Sequence, residues 1–355
     1  MAQTDNHLVI MAGGVGSRFW PMSTAERPKQ FIDVLGVGRT LIQLTYDRFA
    51  DVVSPDNVWV VTNQKYVALV HEQLPEIPLN HILSEPCRRN TAPCIAYVSW
   101  RIKKENPKAN IVMSPSDHIV ANDTEFRRVI INCLKFTAET DAVVTLGMKP
   151  TRPETGYGYI QADLSTASAR NREIYRVDQF REKPDLHTAE QYIKQNNFFW
   201  NAGIFIWSAS TIVNAFRIYQ PSIARIFERI MDVLGTIDEQ RFIDEVYPEC
   251  ENISVDYAIM EKAEEIFVCP ADFGWSDLGT WGSLLAHTRH DIYGNAVIGN
   301  DVHLFDSKNC IVHTTEERKV VIQGLDGYIV AEQDGKLLIC RLTEEQRLKQ
   351  FTGEG

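Results

Sequence analysis

The chain has 355 residues, 44% of them hydrophobic and 23% charged, and its 47 acidic against 36 basic side chains leave a formal net charge of −11. That length supports a large core and two domains, while the acidic balance argues against the broad basic surface that nucleic-acid binding requires. No apolar run approaches the ~18 residues of a membrane span, polar Gln3-Thr4-Asp5-Asn6 stands where a signal segment would be, and the seven cysteines include no Cys-x-x-Cys pair, so a reduced, cytoplasmic protein without membrane contact is expected.

The first apolar run, Leu8–Ala12, reads as a buried strand. It ends in Gly13-Gly14-Val15-Gly16-Ser17-Arg18-Phe19-Trp20-Pro21, followed by Arg27-Pro28-Lys29-Gln30. Glycines at a strand end let backbone N–H groups approach an anion, and Arg18 and Lys29 add positive charge, so this loop is a candidate phosphate cradle. It is not a dinucleotide fingerprint, because Phe19 stands where the third small residue belongs. It is not a P-loop either, because Gly16 is followed by Ser17-Arg18 instead of Lys-Ser/Thr. Alternatively it is a plain strand-to-helix turn with solvated charges.

Thr40–Val53 has helical spacing with Thr40 at its start, Val58–Thr62 reads as a strand, and Thr91–Lys104 reads as a helix with Pro93 in its first turn. Ile111–Ser114 is the next strand, and Pro115 stops it. Asp117 then falls at a strand's carboxyl end, as a candidate metal ligand or as a turn cap, with His118 beside it to orient the carboxylate. Val143–Gly147 is another strand. Gly156-Tyr157-Gly158-Tyr159-Ile160 reads as a loop in close approach to a ligand, or as a kinked hairpin.

Arg181-Glu182-Lys183-Pro184 sets a carboxylate beside an ammonium, in a segment whose neighbouring side chains point to opposite faces. This is either a divided sugar and phosphate grip or a surface ion pair. Asn201 opens the apolar segment that continues as the strand Gly203–Trp207 and offers both a donor and an acceptor. Asp277 lies in the Trp- and Gly-rich segment Ala271–Trp281, which suits a rigid turn. Alternating β and α units imply a mostly parallel sheet whose ligands gather at the strands' carboxyl ends.

Two separated carboxylates beside a basic glycine loop favour magnesium and phosphate chemistry over a glycosidase pair. No Ser/His/Asp or Cys/His set with recognisable spacing supports covalent catalysis. Beyond Tyr293 the texture becomes short extended runs, Val320–Ile322, Tyr328–Ala331 and Leu337–Arg341, punctuated by Asp326-Gly327 and Asp334-Gly335. Consecutive strands joined by tight turns are expected there, with Val297-Ile298-Gly299-Asn300 as one hint of a β-helix coil. Thr343-x-x-Gln346 predicts a capping box opening a final helix that docks through Leu348 and Phe351.

Taken in order, these motifs, with Glu85-Pro86 and Arg89-Asn90-Thr91-Ala92-Pro93, resemble the mannose-1-phosphate guanylyltransferases of the sugar-nucleotide pyrophosphorylase superfamily. Val15, Ser17 and Phe19 depart from the loop residues usual there but keep the glycines and Arg18. The likeness is to the short, monofunctional members, so the phosphomannose isomerase domain of longer relatives is not expected.

The resemblance implies an α/β fold, a Rossmann-like mostly parallel sheet flanked by helices over 1–290, with a small C-terminal β-rich, β-helix-like domain over 291–355. It implies transfer of GMP from GTP to mannose 1-phosphate, with Mg²⁺ as cofactor and a homodimer as the expected assembly. In this sequence Gly13, Gly14, Gly16, Arg18 and Lys29 would hold the GTP phosphates. Glu85, Asn90 and Thr91 would recognise guanine. Asp117 and Asp277 would hold the metal, with Asp117 also counted to the nucleotide site. Lys183 would bind the sugar's phosphate, and Tyr157, Gly158, Glu182 and Asn201 its hydroxyls. Arg18, Lys29, Asp117, Lys183 and Asp277 would carry catalysis. The competing assignments are a thymidylyl- or uridylyltransferase acting on glucose 1-phosphate, and a non-catalytic sugar-nucleotide-binding regulatory subunit.

Overall fold

The first apolar run becomes an interior strand of a nine-stranded sheet in the computed structural model, which describes residues 5–14, 19–168, 170–314 and 318–353. In chain order the strands are β1 (Asn6–Ala12), β2 (Val58–Asn63), β3 (Ile82–Glu85), β4 (Asn110–Pro115), β5 (Ile119–Val120), β6 (Val143–Met148), β7 (Tyr159–Ser168), β8 (Asn171–Arg181), β9 (Phe198–Ser208), β10 (Ile266–Ala271), β11 (Trp275–Ser276), β12 (Ala296–Ile298), β13 (Asp301–Phe305), β14 (Ile311–Thr314), β15 (Lys319–Gln323), β16 (Tyr328–Gln333) and β17 (Lys336–Arg341). The chain divides into one unit of residues 1–13, 46–115 and 120–275 and a second of residues 14–45, 116–119 and 276–355. This division and the chain-order boundary expected near residue 290 draw different lines, because the glycine-loop segment and the Asp117 turn group with the C-terminal residues.

In the first unit the sheet order is β3-β2-β1-β4-β9-β6-β10-β8-β7. All of these strands except β8 and β9 run in one direction. Val9, Trp59, Val61, Ile111 and Met113 share one core with Ile95, Val98 and Ile102 of the helix Thr91–Glu105. The intervening Leu8, Ile10, Val60 and Val112 are equally buried, and by strand alternation they face the other side. A sheet covered on both faces explains the continuous apolar runs.

The helix Thr91–Glu105 starts where the Asn90 side chain accepts the Thr91 N–H at 2.9 Å, an N-cap that removes one orphan donor. The helix expected over Thr40–Val53 ends at Arg48. Beyond it the chain tightens into i→i+3 turns, with Phe49 N bonded to Tyr46 O and Val52 N to Phe49 O. After the glycine loop the chain forms the antiparallel hairpin β7–β8.

The second unit buries Phe19, Met22, Val34, Leu41, Trp281, Leu284, Ile311, Ile329 and Leu348 in a core of its own. Its strands correct one expectation. β12, β14 and β16 pair in parallel as one sheet, while β13 and β15 pair in parallel as another. Successive strands therefore alternate between two sheets, as in a coiling β-helix, and Asp326-Gly327 links sheets instead of closing a hairpin. Among the described residues of this unit, only β16 and β17 form a hairpin, through Asp334-Gly335, both at positive φ.

The final helix also differs from its sequence signal. Leu342–Arg347 is a 3₁₀ helix without a side-chain cap, and Leu348–Thr352 continues as a short α-helix with Leu348 buried and Phe351 exposed. The capping box in this unit belongs to Thr280 and Ser283, at the start of the helix Trp281–His287.

Candidate active site

Lys29 organises the acidic site of the second unit. Its Nζ lies 3.0 Å from Asp117 Oδ2, and it donates to the Asp277 carbonyl at 3.0 Å and to the Leu278 carbonyl at 2.9 Å. These three acceptors match the three donors of an ammonium, which explains how the lysine is buried without an unpaired charge. Lys29 thus joins the segments of the two acids singled out from distant motifs, Asp117 through its carboxylate and Asp277 through its backbone carbonyl. Burial pushes the Asp117 carboxyl up, but the Lys29 ammonium and then His118 outweigh it and hold it below the usual carboxylate range.

The turn carrying Asp277 is constrained at each residue. Leu278 N donates to Ser276 Oγ at 3.1 Å, and Gly279 N donates to Asp277 Oδ1 at 3.2 Å. Leu278, fully buried, is held at φ +47°, a left-handed conformation that a branched side chain adopts at a cost. Gln30 Nε2 reaches back to the Gly14 carbonyl at 2.8 Å and so ties the glycine turn to the Lys29 segment.

In the first unit β8 ends in a second charged cluster. Lys183 Nζ lies 2.6 Å from Glu182 Oε1, with the Glu182 side chain buried and Lys183 itself at φ +45°. A Cβ on Gly158 would lie 2.6 Å from Glu182 Oε2, so any larger residue there would push the Glu182 carboxylate aside. The Gly158 carbonyl accepts the Asn201 N–H at 2.8 Å. Tyr157 packs edge-on against Trp200 and Trp275, both at 5.3 Å. Asn201 donates from Nδ2 to Asp256 Oδ1 at 3.0 Å, and its Oδ1 accepts from Thr145 Oγ1 at 2.8 Å. Burial, with repulsion from Glu182 next, pushes the Asp256 carboxyl up to about 6.

A third group, also in the first unit, surrounds Glu85 at the end of β3. Burial pushes its carboxyl up to about 7, against the Tyr247 hydroxyl that donates to it and the charge of Arg88. A Cβ on Gly13 would lie 3.3 Å from Glu85 Oε2. Asn90 and Thr91 begin the nearby helix, and their side-chain oxygens accept from Thr91 N and Val255 N, both at 2.9 Å. Those oxygens accept from the fold, and the Asn90 amide N–H groups and the Thr91 O–H remain as donors.

The structure therefore brings together Lys29, Asp117 and Asp277; separately Gly158, Glu182, Lys183 and Asn201; and separately Gly13 and Glu85. Gly16 and Arg18 lie outside the described residues. Sequence reasoning missed Asp256, Tyr247 and Thr145. A short acid-bearing segment, Ser254-Val255-Asp256-Tyr257, was the signal for the first; for the other two, ordinary strand and helix residues, there was none. Among the described residues no group of three or more histidine, cysteine or acidic side chains is arranged to hold a metal, and no helix is long and apolar enough to cross a membrane.

The Nucleotidyl transferase family matches residues 7–292, most of the chain. The chain belongs to that family. Curated relatives of this nucleotidyl transferase include Mannose-1-phosphate guanylyltransferase 2 of Escherichia coli O157:H7, 36% identical over 351 residues, spanning 97% of this chain and 72% of the relative. The alginate biosynthesis protein AlgA of Pseudomonas fluorescens is 36% identical over 349 residues, 97% of this chain and 70% of its own. Among solved structures, that of mannose-1-phosphate geranyltransferase from Thermus thermophilus superposes with a TM-score of 0.86 at 31% identity and covers 98% of both chains. The likeness to that structure covers the C-terminal β module as well as the large sheet.

Proposed function

We propose that this nucleotidyl transferase makes GDP-mannose, by attack of a phosphate oxygen of α-D-mannose 1-phosphate on the α-phosphorus of GTP with departure of pyrophosphate. The observation that carries it is Lys29, buried between the Asp117 carboxylate and the backbone carbonyls of Asp277 and Leu278. The choice of sugar and base is supported by relatives named mannose-1-phosphate guanylyltransferase, 36% and 34% identical over nearly the whole chain. The match over residues 7–292 supports reading 1–290 as the catalytic domain and 291–355 as an appended β-rich domain.

The attacking oxygen is already an anion at neutral pH, so no general base is needed, and the obstacle is repulsion between two phosphate-bearing reactants. Asp117 and Asp277 are hard oxygen donors of the kind Mg²⁺ takes, one or two carboxylates with its remaining positions left to phosphate and water. Bound there by Asp117 and Asp277, it would supply charge neutralisation.

The remaining work falls to the chain's own groups. Lys183, mostly exposed, meets the sugar's phosphate by exchanging its Glu182 partner. Glu182, Asn201 and the Tyr157-Gly158 turn address the hydroxyls. Gly13, Gly14, Gly16 and Arg18 take the triphosphate, and Glu85, Asn90 and Thr91 the guanine edge. Lys29 contributes charge beside Asp117, and a phosphate oxygen would bind it only by displacing one of its three acceptors.

Pyrophosphate release from a matrix of nucleoside triphosphates and hexose 1-phosphates with Mg²⁺ tests the assignment. Preference for GTP with mannose 1-phosphate is expected. Preference for dTTP or UTP with glucose 1-phosphate would replace it, and no release from any pair would point to a regulatory subunit.

A further inference from the structure

Asp256 controls a side chain of the proposed sugar site without belonging to any of the motifs that defined it. The Asn201 amide is held at both ends: Oδ1 accepts from Thr145 Oγ1 at 2.8 Å and from the Gly203 N–H at 3.1 Å, while Nδ2 donates to Asp256 Oδ1 at 3.0 Å. Two donors at the oxygen and a carboxylate at the nitrogen permit only one orientation of the amide. One Nδ2 hydrogen is spent on Asp256, so the direction of the other is fixed.

The same segment reaches Glu182. Asp256 opens the wide turn Asp256–Met260 of π-helical pitch, a rare geometry that is frequent at functional sites. Directly after it, Glu261 Oε1 accepts the Glu182 N–H at 3.0 Å. One short stretch of chain thus sets both the amide of Asn201 and the backbone of the residue that pairs with Lys183.

We propose that Asp256 is a positioning residue for the hexose 1-phosphate: it aims the free N–H of Asn201 at a sugar hydroxyl oxygen, with Thr145 as its counterpart at the amide oxygen. The inference rests on the mannose-1-phosphate reading of the site. It makes affinity for the sugar phosphate, and not for the nucleotide, depend on Asp256. Loss of the acceptor frees the amide to rotate, whereas an asparagine at this position keeps a carbonyl oxygen in place for Asn201.

The test compares the parental protein with Asp256→Ala, Asp256→Asn and Thr145→Val, varying mannose 1-phosphate and GTP separately while following pyrophosphate release and Tm. Asp256→Ala should raise KM for mannose 1-phosphate about tenfold, the worth of one hydrogen bond, with KM for GTP within about twofold. Asp256→Asn should restore most of that loss, and Thr145→Val should shift the same constant in the same direction by a few fold.

Equal losses for both substrates, an unchanged mannose 1-phosphate KM in folded Asp256→Ala, or an Asp256→Asn as impaired as the alanine variant would overturn the proposal. If the alanine variant does not fold, Thr145→Val decides, and an unchanged mannose 1-phosphate KM there overturns it. Parental protein that releases no pyrophosphate refutes the guanylyltransferase reading, and this inference with it. Active parental protein with insensitive variants refutes the inference alone.

Discussion

Each of the two charged clusters is built on one lysine beside acids, yet they solve the problem of its charge in opposite ways. The Lys29 side chain is 11% exposed and spends its donors on one carboxylate and two carbonyls, whereas the Lys183 side chain is 57% exposed with a single Glu182 partner. Burial penalises an ammonium unless every donor is matched, so the first lysine is locked. The second has its ammonium open to solvent, where an incoming anion can reach it, although its Glu182 partner is buried. A lysine that ties a carboxylate to a backbone turn and one that trades a carboxylate for a phosphate need these two different surroundings.

Substitution should separate the two most sharply at the acidic cluster. Asp117→Asn and Asp277→Asn keep the side-chain shape and are expected to cut kcat by at least about 100-fold with secondary structure intact; turnover near the parental rate at saturating Mg²⁺ would remove the metal from the mechanism. Lys29→Met should cost stability as well as rate, about 3 kcal/mol for breaking a buried pair, read as a lowered denaturation midpoint. Lys183→Ala should lower that midpoint by less than Lys29→Met does and raise KM for mannose 1-phosphate about 30-fold, and an equal stability loss would erase the contrast. Gly158→Ala, which sets a Cβ against the Glu182 carboxylate, should raise the same KM by several fold with GTP affinity unaltered.

Glu85 sharpens the contrast through pH. Its native carboxyl, near 7, binds protons more tightly than in the unfolded chain, where the ordinary value is 4.5. Its contribution to stability is therefore complete below about 4.5 and is lost as pH rises through about 7. Glu85→Gln should flatten the melting temperature between those limits, and an unchanged slope would show that another group titrates there.

Much of this was legible beforehand because strand ends are marked by glycine and proline. Pro115 stopping β4 and the glycines after β1 place functional residues where an apolar run ends. The partners within each cluster were harder to read, since they depend on tertiary contacts between residues as distant as Lys29 and Leu278. The C-terminal turns misled for a physical reason: an Asp-Gly pair serves a hairpin with both residues at positive φ and a corner between sheets with only its glycine there, so Asp326-Gly327 and Asp334-Gly335 look alike in sequence and act differently. Thr343 carries a capping signature, yet the chain there takes 3₁₀ pitch with no side-chain cap.

Asn90, Lys183 and Leu278, one in or beside each of the three residue groups, hold left-handed backbone conformations. Conformations of this kind cost roughly 1–3 kcal/mol each and persist only where their surroundings over-determine them. Mild denaturant should therefore relax these points before the sheet gives way, so that the protein turns silent while its spectrum still reads as native.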